Sequence, residues 1–388
     1  MTDQDVTRDL SVIQEQLQAQ SSAQDAIPAA DALQRLSDLR ERRTELEDSN
    51  LAENSKTAYA HDQERYGRWC KQMGLPPLPV NPEIVSLYLT DLSELIRSDG
   101  KPAYKVTSLR RVVSSLARLQ YDTGGGRGLG DHELIARTIN GLANERQERA
   151  EGRDPLLTED VLKVISHMDH STWPAGVSSA RDTFVVLVGF ATALRRENVA
   201  GLTAGNLTIH PHDGLHVRVG RTKTDQAGRG ALLAVPYGQV PATCAPCAWF
   251  RWASLLAADT IEERMALVLS TPRNPDDWQH VCRGAFPELP DDAPVVTRVT
   301  KSGRIMMNRV SGTALYKRLL FRLENAGYDP DRYGFHSLRA GFVTQALIKE
   351  ATHKAIRNQT LHKTDMMVDH YDRDNLPLRN NAVTKLGL

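Results

Sequence analysis

Apolar residues recur at three- and four-residue spacing through much of this chain, and that period predicts helices. Between residues 55 and 73, Tyr59, Tyr66, Trp69, Cys70 and Met73 fall at such spacings, and Gly74 with Pro76, Pro77 and Pro79 ends the run. Asn81-Pro82 has the order of a cap followed by a first-turn proline, and Ile84, Val85, Tyr88, Leu89, Leu92, Leu95 and Ile96 continue from it as an apolar stripe. A third pattern runs from Pro102 to Tyr121 through Val106, Leu109, Val112, Val113, Leu116 and Leu119. A fourth covers residues 131–145 with Leu134, Ile135, Ile139 and Leu142. Four short amphipathic helices predict a bundle over residues 51–145. The stretch GGGRGLG at 124–130 lacks a preceding strand and a following Gly-Lys-Ser/Thr, so it reads as a loop and not a phosphate cradle.

Residues 146–155 are charged, almost without apolar side chains, and end on Pro155, the composition of a linker. A second domain is predicted over 156–388. Thr158 opens a helix and a strongly apolar helix covers 182–194. Three short alternating runs then follow at 207–210, 215–220 and 231–235. His216 and Arg218 alternate with Val217 and Val219, which marks a half-buried strand. The charged, glycine-containing segment 221–230 joins two of these strands as a hairpin tip, and the chain from Pro241 onward reads mainly helical. The predicted class is mainly α with one small antiparallel sheet: a helical domain followed by an α+β domain.

Composition changes this picture at the N-terminus. Residues 1–54 hold twelve acidic residues against five arginines, leaving 36 acids against 43 bases in residues 55–388. The formally neutral total therefore conceals an acidic leader and a basic body, which keeps a polyanionic partner open. Residues 1–50 offer little apolar surface and are expected to be a mostly flexible leader; the alternative is a partner-binding helix carrying Leu33, Leu36, Leu39 and Leu46. Lys101, Lys105, Arg110, Arg111 and Arg118 lie on or beside the third helix as a candidate DNA-contacting face, and the same pattern suits an ordinary solvated face. No signal-peptide pattern is present, and the longest apolar run, Phe184 to Leu194, is shorter than the ~20 residues that span a bilayer, so a cytoplasmic protein without a membrane partner is expected.

Five segments concentrate reactive side chains: TALRREN (192–198), GRTKT (220–224), FHSLR (335–339), LHKTD (361–365) and DHYDR (369–373). Each alone has an ordinary structural explanation. In this order, with Arg195, then Lys223 on a hairpin, His336-x-x-Arg339, His362, and Tyr371 nine residues later, they resemble the signature set of the tyrosine recombinases and integrases. The likeness extends over residues 51–388 and includes the Trp69-Cys70-Lys71 run in the first predicted helix. It differs at one point: the acid usual three residues after the first arginine is Asn198 here, with Glu197 one position earlier.

The resemblance implies a C-shaped clamp on DNA, with residues 51–145 as a core-binding domain and 156–388 as a catalytic domain. It implies cleavage and rejoining of DNA strands through a 3′-phosphotyrosyl intermediate and a Holliday junction. The partners implied are double-stranded DNA with inverted-repeat sites and a homotetramer on that DNA. Chemistry assigns the same cast. Tyr371 is the nucleophile, Arg195 and Arg339 bind the non-bridging oxygens, and His336 accepts the phenol proton. Lys223 protonates the leaving 5′-oxygen, and His362 donates to the phosphate. No cofactor and no catalytic metal are expected. A type IB topoisomerase, a telomere resolvase and a catalytically silent DNA-binding relative are the alternatives. Residues 381–388 include Val383, Leu386 and Leu388, a patch suited to docking on a neighbouring subunit.

A further pattern competes for the cysteines. Cys244-Ala-Pro-Cys247 with His280-Val-Cys282 supplies four zinc-type ligands, but a one-residue gap in the second pair is unusual, so core thiols and no bound metal are expected.

Overall fold

A computed structural model describes residues 29–49, 53–126, 128–148, 152–220 and 230–375, together with Val383 and Leu386. The chain divides into two units between residues 151 and 152.

In the first unit, α1 (Ala29–Ser49) precedes α2 (Glu53–Met73), α3 (Pro82–Glu94), α4 (Val106–Asp122) and α5 (Glu133–Arg146). Helix α1 occupies residues expected to belong to a flexible leader; exposed side-chain pairs Gln34–Asp38 and Arg42–Glu45 support it, and residues 1–28 lie outside the described ones. At the start of α3 the Asn81 side chain accepts from the Glu83 amide at 2.8 Å, with Pro82 in the first turn. Helix α4 begins later than its apolar pattern suggests because Ile96 and Pro102 pair in an isolated bridge, the Arg97 and Ala103 amides bonding to the Lys101 and Leu95 carbonyls. The core is aromatic at its centre, with Tyr88 5.3 Å from Tyr66 and 5.1 Å from Trp69 between ring centroids.

The second unit opens with α6 (Thr158–Ser166), α7 (Ala175–Ala191) and α8 (Arg196–Ala200). Strands β1 (Leu207–His210), β2 (Gly214–Val219) and β3 (Ala231–Val235) form an antiparallel sheet in that order, with Val219 opposite Ala231 as the last pair before the hairpin tip. Helices α9 (Ala245–Ala257) and α10 (Ile261–Leu269) follow, then β4 (Thr297–Val299) and β5 (Ile305–Arg309). The last four are α11 (Gly312–Asn325), α12 (Phe335–Ile348), α13 (His353–Thr360) and α14 (Met366–Asn375).

Two expectations are corrected here. The single sheet is joined by a second, two-stranded one, β4–β5, in the region read as mainly helical; strands this short carry no readable alternation. Helix α7 starts seven residues before the predicted Asp182, because its first turns are made of small residues that pack closely: a Cβ on Gly176 would meet Val268 Cγ1 at 2.4 Å.

Asp182 on α7 is buried and accepts from Arg181 at 2.6 Å, and from Arg318 and Arg322 of α11 at 2.7 Å each. Burial alone would raise its carboxyl, but the three guanidinium groups outweigh that and hold it below the usual carboxylate range. Arg181 also donates to the Thr297 carbonyl at 2.9 Å. One carboxylate thus fixes α7, α11 and β4 to one another. Among the described residues no helix is long and apolar enough to cross a membrane.

Candidate active site

The C-terminal end of α7 organises the site. A helix leaves its last carbonyls without partners in its own ladder. Here two distant side chains supply them: Gln359 Nε2 donates to the Ala191 carbonyl at 2.8 Å, and Arg339 Nη1 donates to the Ala193 carbonyl at 2.7 Å. Ala193 sits at φ 49°, a left-handed turn that ends the helix and leads directly to Arg195, which caps the start of α8. The same two hydrogen bonds therefore complete the helix end and bring α12 and α13 beside Arg195. Gln359 also reaches the Ala234 carbonyl of β3 at 3.2 Å, linking this corner to the strand that leads into the hairpin.

His336 and Arg339 lie three residues apart on α12, one turn along one face. The helix approaches the segment before α6 closely: a Cβ on Gly341 would stand 1.7 Å from the Leu156 carbonyl oxygen, so glycine is required there. Arg339 is 3% exposed, and its Nη2 is buried with no hydrogen-bond partner. A guanidinium nitrogen stranded in this way is an open position for an anion. Arg195, His336 and Arg339 line one cleft of about 310 Å³ with Arg153, Arg196 and Tyr316.

Tyr371 projects from α14, its ring packed against the buried cluster of Val343, Leu347, Ile356 and Val368. Its hydroxyl is 3.0 Å from His336 Nε2, within reach for donating the phenol proton. Burial raises the phenol above its ordinary value, with the Arg339 and Arg195 charges opposing, so the phenol is neutral before substrate arrives. Desolvation, followed by the Arg339 and Arg195 charges, holds the His336 imidazole below the usual histidine value, so it is unprotonated and able to accept.

His362 follows the left-handed residue Leu361 that closes α13, and its ring centroid is 5.9 Å from that of Tyr371. Its Nδ1 is 2.9 Å from Thr360 Oγ1, whose other neighbour is the Ile356 carbonyl at 2.8 Å. When the single Thr360 proton goes to Nδ1, the His362 hydrogen is left on Nε2, the arrangement a phosphate donor needs.

The structure thus brings together Arg195, His336, Arg339, His362 and Tyr371. Lys223 lies outside the described residues, although both stems of its hairpin, β2 and β3, are described. Glu197 pairs with Arg196 at 3.2 Å and not with Arg195. Arg153 and Arg196 were missed as cleft cations: Arg153 stands in the segment read as a linker, and Arg196 was passed over beside Arg195. Of the candidate DNA-contacting residues, Lys101, Lys105 and Arg110 are exposed. Arg111 pairs with buried Asp62 at 2.9 Å, and Arg118 pairs with Asp122 at 2.7 Å, so these two have structural roles in the bundle.

Burial, with nearby arginine charges, lowers His362 to about 3 and His170, which is remote from the cleft, to about 4. An unfolded histidine takes up its proton near pH ~6.5, whereas these two resist it when folded. Their stabilising effect is therefore complete above pH ~6.5 and is lost progressively as pH falls toward their folded values. Between pH 7.5 and 5.0 each contributes a loss of about 2 kcal/mol. Urea unfolding at the two pH values measures the sum, and His170→Gln should remove about half the difference; equal unfolding free energies at both pH values would refute the assignment.

No family model matches the sequence. The chain is 24% identical over 341 residues to an integrase/recombinase XerD homolog of Selenomonas ruminantium, with 87% of each protein covered. Among solved structures, the Tn1549 transposon integrase in complex with transposon right end DNA is similar at a TM-score of 0.50 and 14% identity, over 89% of this chain and 98% of that one. A lambda integrase dimer bound to a COC′ core site gives a TM-score of 0.48 and 15% identity, over 94% of this chain and 87% of that one.

Proposed function

We propose that this chain, a member of the tyrosine recombinase and integrase family, cuts one strand of double-stranded DNA with Tyr371 and rejoins it to another partner. The observation that carries the reading is Tyr371 Oη held 3.0 Å from an unprotonated His336 Nε2, beside the unpartnered Nη2 of buried Arg339.

The scissile phosphate enters the cleft with its non-bridging oxygens between Arg195 and Arg339. Tyr371 Oη forms a bond to phosphorus as the bond to the 5′-oxygen breaks, and its proton passes to His336 Nε2. The departing 5′-oxygen takes a proton from Lys223, leaving a 3′-phosphotyrosyl link and a free 5′-hydroxyl. A 5′-hydroxyl from a second strand reverses each step. One phosphodiester is exchanged for one tyrosyl ester and back, so the balance needs neither nucleotide nor oxidant. Arg195 and Arg339 stabilise the charge that grows on the phosphoryl oxygens, and His362 Nε2 adds a hydrogen bond there. Exchange between two duplexes needs four such sites, so the assembly is a homotetramer on inverted-repeat DNA, passing through a Holliday junction in the cytoplasm. Val383 and Leu386 are exposed, which supports a tail that docks on a neighbouring subunit.

A footprint on the repeats flanking the coding region supplies a target, and a nicked suicide duplex built from it tests the proposal. The expected product is a denaturant-resistant complex whose DNA-linked peptide contains Tyr371; noncovalent binding without any such complex would sink the reading. Lys223→Ala should cleave poorly on the ordinary duplex and recover when the bridging 5′-oxygen is replaced by sulfur, because a thiolate leaves without a proton. Arg195→Ala should gain nothing from sulfur, and equal rescue of both variants would move the general acid elsewhere.

A further inference from the structure

Three buried cysteines of the second unit, Cys244, Cys247 and Cys282, have no part in the proposed chemistry. They converge with His280 although 38 residues separate the first from the last. The Sγ atoms and a ring nitrogen of His280 all lie within 4.8 Å of one another. Cys244 Sγ and Cys282 Sγ are 3.9 Å apart, and His280 Nδ1 is 3.3 Å from Cys247 Sγ and 3.9 Å from Cys282 Sγ. Four ligands on a tetrahedral zinc ion stand about 3.8 Å apart for two sulfurs and about 3.6 Å for sulfur and nitrogen. A disulfide needs a sulfur separation of about 2.05 Å.

The surroundings select the ligand forms. His280 Nε2 is 3.2 Å from the Gln239 carbonyl, which can only accept, so the ring hydrogen sits on Nε2 and the lone pair of Nδ1 faces the sulfurs. The Gly238 amide donates to Cys244 Sγ at 3.3 Å, an interaction that favours a thiolate. A Cβ on residue 238 would stand 2.9 Å from Cys244 Cα, so this close turn requires glycine. Arg251 of α9 donates to the Gln279 carbonyl at 2.9 Å and holds the segment that presents His280.

We infer that Cys244, Cys247, His280 and Cys282 form a closed, four-coordinate structural zinc site. This replaces the expectation of core thiols. The one-residue gap between His280 and Cys282 is accommodated because the ring reaches the cluster through Nδ1. The ion joins three segments that few other contacts connect: the turn after β3, the first turn of α9, and residues 278–284. Strand β3 enters this junction from the hairpin that carries Lys223, so the metal fixes the base of that hairpin. Three thiolates and a neutral imidazole leave no open position, which makes the role structural and not catalytic.

The test is metal analysis of the whole chain purified from zinc-replete medium, with thiols counted before and after unfolding. About one zinc per chain is expected, with the three clustered thiols unreactive until denaturation. Replacement by cobalt should give the intense thiolate-to-metal absorption of a tetrahedral sulfur-rich site. His280 is exposed, so His280→Gln should fold and lose zinc to a chelator at least about tenfold more readily than the unaltered chain. Cys282→Ser should lower zinc content to below about a tenth of an equivalent. A reduced chain that takes up neither zinc nor cobalt would overturn the site, and so would a disulfide among Cys244, Cys247 and Cys282. Both are read on the unaltered chain, independently of whether any variant folds or any DNA is cut.

Discussion

Tyr371→Phe should bind its DNA site as tightly as the unaltered chain and form no covalent complex with it. The substitution removes one oxygen and leaves the ring, whose packing against Val343, Leu347, Ile356 and Val368 orders α14. The hydrogen bond lost is the one to His336, a contact made before chemistry and not with DNA. Loss of a nucleophile costs on the order of 10⁴-fold or more in enzymes that use one. Gel-shift titration measures the first half of the expectation and trapping on a nicked duplex the second. A denaturant-resistant adduct formed by the Phe variant would transfer the nucleophile to another residue, and His336 would then lose its proposed proton donor.

Arg339→Ala is expected to reduce cleavage by about 10²–10³-fold, the scale on which one oxyanion donor is lost. Its geometry shows why truncation has two effects. Nη1 completes the end of α7 at the Ala193 carbonyl, while Nη2 is the buried nitrogen left open. The alanine variant loses both, so a fall in rate could come from displacement of Arg195 as well as from missing charge. Arg339→Gln separates them: it can still donate to the Ala193 carbonyl but offers no cation. If charge at the phosphate is what matters, Gln is as slow as Ala in single-turnover cleavage while circular dichroism and unfolding midpoint stay closer to those of the unaltered chain. Arg195→Ala, which removes the partially exposed member of the pair, should fall in the same range. Cleavage within tenfold of normal for either arginine would exclude it from the phosphate.

The placement of Arg339 also explains why the catalytic pattern is written across such distant stretches. Arg195 follows α7, and the residues that hold its turn in place come from α12 and α13, more than 140 positions later. A phosphate must be met from several sides at once, and no single helix or strand can present guanidinium, imidazole and phenol groups around one point. The chemistry therefore requires a fold that brings ends of elements together, and the unsatisfied carbonyls at a helix end provide a place for them to meet.

Much of the local architecture could be read from residue order, because it depends on neighbours along the chain. The bundle helices follow from their three- and four-residue apolar periods, the start of α3 from Asn81-Pro82, and the three strands of the first sheet from short alternating runs around residues 207–235. The five reactive segments could be picked out by their types and order. Other features arose only in three dimensions. The spacing of Cys244, Cys247, His280 and Cys282 argued against a common site, whereas folding places their ligand atoms together because the turn after β3 and the 278–284 segment both pack at the start of α9. Arg111 and Arg118 looked available to an anion until Asp62 and Asp122 paired with them. Periods and caps are governed by contacts a few residues apart, so the sequence alone determines them; partners for charges, thiols and helix-end carbonyls are drawn from the whole chain, and only the tertiary structure decides which of them meet.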